Sequence, residues 1–315
     1  MISSISNTFL IVKSQFGFIV VTLVCVGFSC STDQPILFSE YPNRGAISDD
    51  GYRAIMSTTN LAIGENRFSF ILTGPDGFID NEDVLIKMIY IQGSTKAVEY
   101  SPVFYKWPDG LRVSYVDFVN FDNPGTWKAT ITFEDQGQIR SVELVFDVSA
   151  TIKTPLVGGL IPLSDSKTIH SVDTLDELST GSLVYIDLYK MSIREAIFED
   201  KPILIVFSSP AFCLDEVCGP QVEVLKQLAE SRADKINSIH VDVYDEPSKV
   251  QMDVNSATYS KPFLEWRLES PQWTFLIDCR GKTFKKYQGF VSEYEISTDI
   301  NEMFSLAEKL TGCSI

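Results

Sequence analysis

The chain has 315 residues, of which 42 are acidic and 26 are basic, so its formal net charge at pH 7 is −16. This length suits about two domains. A hydrophobic content of 44% with 12% aromatic residues is that of a globular chain and excludes wholesale disorder. The acidic charge argues against a nucleic-acid partner and against electrostatic docking on anionic lipid, because both need clustered Lys and Arg. With only two histidines, His-rich zinc sites are also excluded.

The first thirty residues predict export. Residues 16–28 form the apolar run FGFIVVTLVCVGF, which follows Lys13. This run is short for a membrane span, which needs about 20 residues, and it fits the apolar core of a signal peptide. The segment VGFSC that ends at Cys30 resembles the processing site of a bacterial lipoprotein signal. We expect residues 1–29 to be a signal peptide and Cys30 to carry a lipid anchor on the extracytoplasmic side of the cell membrane. The alternatives are an uncleaved anchor, or a form that is secreted or periplasmic.

Residues 31–150 predict a β-sandwich. Short segments with alternating apolar residues run from about 67 to 149, and Gly, Pro, Asn or Asp separates them. They are rich in β-branched and aromatic residues, which favour strands. Strands at this spacing without helical segments are typical of an all-β, immunoglobulin-like sandwich. This region has no histidine, no cysteine and no phosphate-binding loop, so we expect a spacer or a partner-binding module.

Residues 151–185 predict a linker, because TPLVGGLIP (154–162) holds two prolines and two glycines and the remainder is polar. Residues 186–315 then alternate between helical and strand patterns and predict an α/β domain. The predicted elements are a helix at 191–200, a buried strand at 201–209, an amphipathic helix at 220–235, a strand at 237–245, a hairpin at 273–290 and a closing helix at 297–312.

Two cysteines lie between the buried strand and the amphipathic helix, and their position predicts a thiol site. The N-terminus of a helix stabilises a thiolate through its unsatisfied N–H groups and the positive end of its dipole. Gly219 suits the cap of this helix and Pro220 its first position, which leaves Cys213 and Cys218 in the preceding loop. The two acidic residues between the cysteines oppose thiolate formation.

The order of these elements resembles the thioredoxin-like fold over about residues 190–312. FSSPAFCLDEVCGPQ (207–221) stands where that family carries its redox cysteines, and FLIDCRGKTFKKYQG (275–289) resembles its terminal hairpin. The resemblance implies a multidomain chain in which the sandwich precedes an α/β thioredoxin-like domain with Cys213 and Cys218 as a redox pair. The chain departs from the family in having four residues, not two, between these cysteines.

The resemblance also assigns supporting residues. The aromatic residue that precedes the first cysteine is present as Phe212, and Pro271 lies near the place of the family's cis-proline, displaced towards the loop. Because the last helix of this fold returns its C-terminus towards the hairpin turn, Cys279 and Cys313 are expected to form a structural disulfide.

These observations predict a membrane-tethered thiol–disulfide oxidoreductase without a cofactor. Cys213 would attack or be attacked, Cys218 would resolve, and electrons would pass to a protein thiol or disulfide partner. A small structural disulfide between the same cysteines is the alternative without chemistry.

Three other interpretations remain open. The CLDEVC spacing also resembles the peroxidatic and resolving pair of some peroxiredoxins, which would make the chain a peroxidase. Cys213, Cys218 and His240 would suit a copper ion, although a histidine inside a strand is more typical of a core position. A scaffold of thioredoxin-like fold with no chemistry is the third.

Overall fold

The structure is a computed structural model that describes residues 44–93, 96–212 and 218–307, all within one compact unit. Over these residues the chain forms thirteen strands in three sheets and five helices. The strands are β1 (Arg53–Met56), β2 (Gly64–Gly74), β3 (Gly77–Phe78), β4 (Val84–Tyr90), β5 (Val98–Tyr100), β6 (Val103–Lys106), β7 (Val113–Phe121), β8 (Gly125–Asp135), β9 (Gln138–Val148), β10 (Ile203–Ser208), β11 (Asn237–Asp242), β12 (Trp273–Ile277) and β13 (Thr283–Gln288). The helices are α1 (Ile193–Ile197), α2 (Cys218–Arg232), α3 (Pro247–Met252), α4 (Lys261–Glu265) and α5 (Glu293–Ala307).

Strands β1 to β9 form two antiparallel sheets, which we call the sandwich sheets. One has the order β1-β2-β7-β6 with β3 paired to β2, and the other has the order β5-β4-β8-β9. Along β9, buried and exposed residues alternate from Ser141 to Val148, because successive side chains of a strand point to opposite faces. The inward side chains of both sheets, such as Phe68, Phe70 and Ile131, share one apolar core.

Strands β10 to β13 form the mixed sheet, with the order β11-β10-β12-β13. Strands β10 and β11 are parallel, and the other neighbouring pairs are antiparallel. Every residue of β10 is buried, because side chains cover both faces of the sheet. Leu225 of α2 and Ile300 of α5 pack on one face, and Phe263 and Trp266 pack on the other.

The predicted fold class is wrong. The described chain is mostly β-sheet with three antiparallel or mixed sheets, and no α/β thioredoxin-like domain is evident in it. The helix predicted at 191–200 covers only five residues, and residues 246–272 contribute helices of six and five residues. After α3, the N–H of Asn255 donates to the side chain of Asp253, and the hydroxyl of Ser256 donates to the carbonyl of Asp253. Such hydrogen bonds between side chain and backbone compete with continuation of the helix. Helices this short do not alternate with strands to layer a sheet as an α/β fold requires.

The peptide bond before Pro271 also differs from the expected cis-proline, since no described peptide bond is cis. The segment predicted as a linker lies along the mixed sheet: Gly158 donates to the carbonyl of Thr283 at 2.7 Å, and Ile161 donates to that of Gly281 at 3.1 Å. This segment therefore extends the free edge of β13.

A buried ion pair joins the sandwich sheets to α5. Arg67 of β2 contacts both carboxylate oxygens of Glu295 at 3.1 Å and donates to the carbonyl of Phe290 at 2.8 Å. Nearby, the side chain of Gln288 accepts hydrogen bonds from the backbone N–H groups of Thr59 and Asn60 at 2.7 and 2.8 Å. These contacts fix the sandwich sheets against the mixed sheet.

The predicted signal peptide and Cys30 lie outside the described residues, as does Cys313. Within residues 44–93, 96–212 and 218–307, no helix has the length and apolar character that a membrane crossing requires.

Candidate dithiol site

Cys218 is the first residue of α2 and lies beyond the carboxyl end of β10. It is disulfide-bonded and has 0% exposed surface. Its Sγ atom lies 4.0 Å from the carbonyl oxygen of Pro271. Cys213, the predicted partner, lies outside the described residues.

Cys279 follows β12 at the turn of the hairpin and is also disulfide-bonded. Pro271, which Cys218 contacts, precedes β12, so the two cysteines lie at opposite ends of this strand. Five residues of extended strand span about 16 Å, whereas the Cα atoms of a disulfide are within about 7 Å of each other. Cys218 and Cys279 therefore each pair with a cysteine outside the described residues. The pairings Cys213–Cys218 and Cys279–Cys313 stay predictions.

Phe212, the residue before Cys213, packs against the end of the mixed sheet. Its ring meets that of Tyr244 edge to face, with 6.2 Å between the ring centroids. Both belong to a small cluster with Val250 of α3. This contact fixes the chain immediately before the first cysteine.

The helix that follows begins earlier than predicted. Gly219 and Pro220 are the second and third residues of α2 instead of its cap and first residue. A proline is tolerated there because the first turn of a helix has no intrahelical partners for its N–H groups. As a result Cys218 is part of α2 and lies at the positive end of the described helix.

The end of β12 beside Cys218 buries polar atoms that have no hydrogen-bond partner among the described residues. They are both amide atoms of Gln272 and Oγ1 of Thr274, together with Nε2 of Gln221 from the adjoining α2. Thr274 lies opposite Tyr287 in the sheet register, on the face that α2 covers. Leaving such an atom unpaired costs about 1–3 kcal/mol, so this group marks a place where a functional explanation is required.

A second polar cluster lies at the carboxyl ends of β10 and β11. Asp242 is the last residue of β11 and is buried. Its carboxylate accepts hydrogen bonds from the backbone N–H and the hydroxyl of Thr180 at 2.7 and 2.9 Å and from the N–H of Tyr244 at 3.0 Å. Burial raises the pKa of Asp242 to about 6, and these hydrogen bonds offset only part of that effect. A buried carboxyl that titrates near neutral pH is typical of functional sites.

Thr180 links this carboxylate to the chain that leads to the cysteines. Its Oγ1 lies 2.9 Å from the hydroxyl oxygen of Ser209, the residue that follows β10. The same Oγ1 accepts a hydrogen bond from the N–H of Ala211 at 3.4 Å. The carbonyl of Thr180 accepts a further bond from Gln251 of α3 at 2.6 Å. Asp242 is therefore connected, through Thr180, to the residues just before Phe212.

His240 is a buried structural histidine in the middle of β11. Its Nε2 lies 2.8 Å from the hydroxyl of Ser208, and its Nδ1 is hydrogen-bonded to the hydroxyl of Tyr189. Burial lowers the pKa of His240 to about 4, so the ring is neutral near pH 7. A neutral imidazole has one donor and one acceptor nitrogen, and both are in use here.

These hydrogen bonds count against His240 as a copper ligand. The described residues also contain no group of three or more His, Cys, Asp or Glu side chains arranged to hold a metal ion. Both ring nitrogens of His240 are engaged in these bonds, and the copper alternative, which includes Cys213, stays a prediction.

Comparison with known proteins gives no relative. No protein-family model, no curated protein and no solved structure matches the chain.

Three residues of this cluster, Thr180, Ser209 and Asp242, were not predicted from the sequence. The segment IHVDV carried a signal, since His240 and Asp242 alternate with apolar residues and would both be buried in a strand covered on two faces. Thr180 lies in the polar stretch predicted as a linker, where nothing in the sequence distinguishes it from its neighbours.

Proposed function

We propose that this chain is an extracytoplasmic, membrane-anchored thiol–disulfide oxidoreductase that uses Cys213 and Cys218 as its dithiol. The observation that carries the proposal is Cys218: a disulfide-bonded sulfur at the first residue of a fifteen-residue helix, fully buried beside polar atoms that have no hydrogen-bond partner among the described residues. A helix N-terminus stabilises the negative charge that appears on sulfur during exchange.

The burial of Cys218 supports different roles for the two cysteines. A protein partner has no access to a sulfur with 0% exposed surface, so exchange takes place at Cys213. In the oxidised chain a partner thiolate attacks Sγ of Cys213, the Cys213–Cys218 bond breaks, and Cys218 leaves as a thiolate that takes up a proton. A second partner thiolate then attacks the partner's sulfur in the mixed disulfide and releases Cys213 as a thiolate. The partner gains a disulfide, and the dithiol carries the two electrons.

The reverse reaction uses the same groups. The Cys213 thiolate attacks a partner disulfide and releases the first partner thiolate. Cys218 then attacks Sγ of Cys213 and releases the second. The buried position of Cys218, held near Pro271, favours this intramolecular step over release of the mixed disulfide because the resolving sulfur is held in place.

A redox titration with mass mapping tests the proposal. The full chain is equilibrated with mixtures of reduced and oxidised dithiothreitol, the free thiols are alkylated, and the peptides that contain each cysteine are quantified. We expect Cys213 and Cys218 to become alkylated together in one two-electron step, while Cys279 stays protected as an internal reference. Persistence of the Cys218 disulfide in buffers that already reduce that of Cys279 would refute the proposal. Consumption of hydrogen peroxide by the reduced chain would support the peroxidase instead.

A further inference from the structure

The polar cluster around Asp242 forms a continuous hydrogen-bonded path to the chain before Cys213. A carboxylate only accepts hydrogen bonds, so the hydroxyl of Thr180 must donate to Asp242. The lone pairs of that hydroxyl oxygen then accept from Ala211 and face the hydroxyl of Ser209. The N–H of Phe212 in turn donates to the carbonyl of Ser209 at 3.1 Å. The charge on Asp242 thus sets the direction of the hydrogen bonds that hold residues 209–212.

We propose that Asp242 is a positioning residue for the dithiol: through Thr180 and Ser209 it holds the segment that leads to Cys213, and its protonation loosens that segment. This inference rests on the proposed function, since it concerns how readily Cys213 closes a ring with Cys218. Asp242 acts through Thr180 and does not itself exchange protons with a substrate.

The effect of a proton follows from the donors around the carboxylate. The N–H and the hydroxyl of Thr180, the N–H of Tyr244 and the hydroxyl of Ser209 are all hydrogen-bond donors to Asp242. A protonated carboxyl adds a further donor to a site made of donors, so at least one of these bonds is lost. The segment 209–212 is then held less firmly, and ring closure becomes less favourable. Because burial raises the pKa of Asp242 to about 6, this change falls between pH 5 and 7.

Other titratable groups face Asp242 from the surrounding elements. They line, with it, a cavity of about 340 Å³ beside the free edge of β11. Burial raises the pKa of Tyr244 to about 12 and that of Tyr189 further still, whereas it lowers that of His240 to about 4, so none of these three titrates between pH 5 and 7. The remaining charged groups are Asp165, Lys167, Glu177, Asp245 and Lys261.

The equilibrium with dithiothreitol isolates this effect. Oxidised chain and reduced dithiothreitol give reduced chain and cyclic oxidised dithiothreitol, with two electrons and two protons moved from one dithiol to the other. While all thiols are protonated, this reaction releases no protons, so its equilibrium constant depends on pH only through a coupled group. We expect the wild-type disulfide to be about fivefold easier to reduce at pH 5 than at pH 7.

Three variants test the origin of that dependence. Asp242→Asn is expected to abolish it, with less than about a twofold change between pH 5 and 7. Thr180→Val keeps the carboxyl, removes the hydroxyl link and is expected to abolish it as well, which also provides the test if the Asn variant fails to fold. Asp245→Asn, an exposed acid on the same cavity, is the matched control and is expected to keep the wild-type dependence.

The outcomes separate the two proposals. A flat wild-type profile, or a pH step that persists in Asp242→Asn and so belongs to another group such as the Cys213 thiol, overturns the role of Asp242 and leaves the oxidoreductase intact. Failure of Cys213 and Cys218 to be reduced together at any pH overturns the proposed function, and the role of Asp242 with it.

Discussion

The sandwich sheets and the mixed sheet bury different kinds of side chain. Between the sandwich sheets the core consists of aliphatic and aromatic side chains such as Phe68, Phe70 and Ile131. At the carboxyl ends of β10 and β11 the chain buries a histidine and a carboxylate, His240 and Asp242, among serine and threonine hydroxyls. Burying such groups lowers the stability of the fold unless each is hydrogen-bonded. The aliphatic and aromatic side chains of the sandwich core carry no such penalty.

The two regions therefore differ in where their polar side chains are buried. In the mixed sheet the polar groups cluster at the end next to Phe212 and Cys218. The opposite face and end of this sheet pack apolar side chains such as Ile203 and Ile277. In the mixed sheet, buried polar groups thus lie next to the proposed dithiol, as expected for a functional site.

The largest predicted effect on stability lies at the junction of the two regions. Replacing Arg67 by Met leaves the carboxylate of Glu295 buried without its cation, because the two side chains are only 5% and 10% exposed. Breaking such a pair costs about 3–5 kcal/mol, which urea unfolding of the full chain measures.

Two controls accompany this variant. Adding Glu295→Gln to Arg67→Met removes the stranded charge, so we expect the double variant to recover part of the loss. Lys153→Met breaks an ion pair with Glu269 whose side chains are 69% and 54% exposed, and no measurable change is expected. Equal losses in Arg67→Met and Lys153→Met would contradict the view that the junction is fixed by a buried pair.

His240 and Asp242 are predicted to give stability opposite dependences on pH. The folded chain favours the protonated form of Asp242, whose pKa rises from 3.8 to about 6, so this contribution is present below pH 4 and is lost as the pH rises through 6. The folded chain favours neutral His240, whose pKa falls from 6.5 to about 4, so this contribution is present above pH 6.5 and is lost as the pH falls through 4. Each amounts to about 3 kcal/mol.

In the wild type these two dependences offset each other between pH 4 and 6, and single variants separate them. Asp242→Asn should lose stability on acidification from pH 6.5 to 4, whereas His240→Gln should lose it as the pH rises from 4 to 6. Urea unfolding at half-unit intervals of pH measures both. Slopes of the same sign in the two variants would show that the opposed burial of these groups is not the cause.

A pair of Thr→Val substitutions compares bonded and unpartnered hydroxyls in the mixed-sheet region. Thr180→Val removes a donor from Asp242 and an acceptor from Ala211, so we expect a loss of about 2 kcal/mol. Thr274→Val replaces a buried hydroxyl that has no partner among the described residues, so we expect no loss and a gain of up to about 1 kcal/mol. Thermal unfolding of the two variants gives the comparison, and a clear loss in Thr274→Val would mean that this hydroxyl has a structural partner.

Individual elements were easier to predict than the fold class. The alternation in residues 140–149 overlaps β9 as far as Val148, and the apolar run 201–209 contains β10, because burial patterns of strands are local. The long helices at 220–235 and 297–312 correspond to α2 and α5, with starts shifted by a few residues. The segment 246–272 could not be predicted, since short helices started by Pro247 and Pro262 depend on the packing of Val250 and Phe263 in the tertiary structure.

The candidate site was predictable only in part. A helix N-terminus after a buried strand identified Cys218, and Phe212 was identified by its position before Cys213. The contribution of Thr180 depends on contacts 29 and 62 residues away in sequence, with Ser209 and Asp242, which no local pattern encodes. For the same reason the burial of Gln272 beside Cys218 became visible only in the structure.

The most direct test of the dithiol is to trap its mixed disulfide with glutathione disulfide as the probe. Two folded single variants, Cys218→Ser and Cys213→Ser, are incubated with the probe, and mass mapping locates the adduct. We predict a lasting glutathione adduct on Cys213 in Cys218→Ser, because no resolving thiol remains. In Cys213→Ser we predict an adduct on Cys218 only after unfolding in urea, since the folded chain buries this residue completely. Rapid modification of Cys218 in folded Cys213→Ser, or an unreactive Cys213 in Cys218→Ser, would contradict the account.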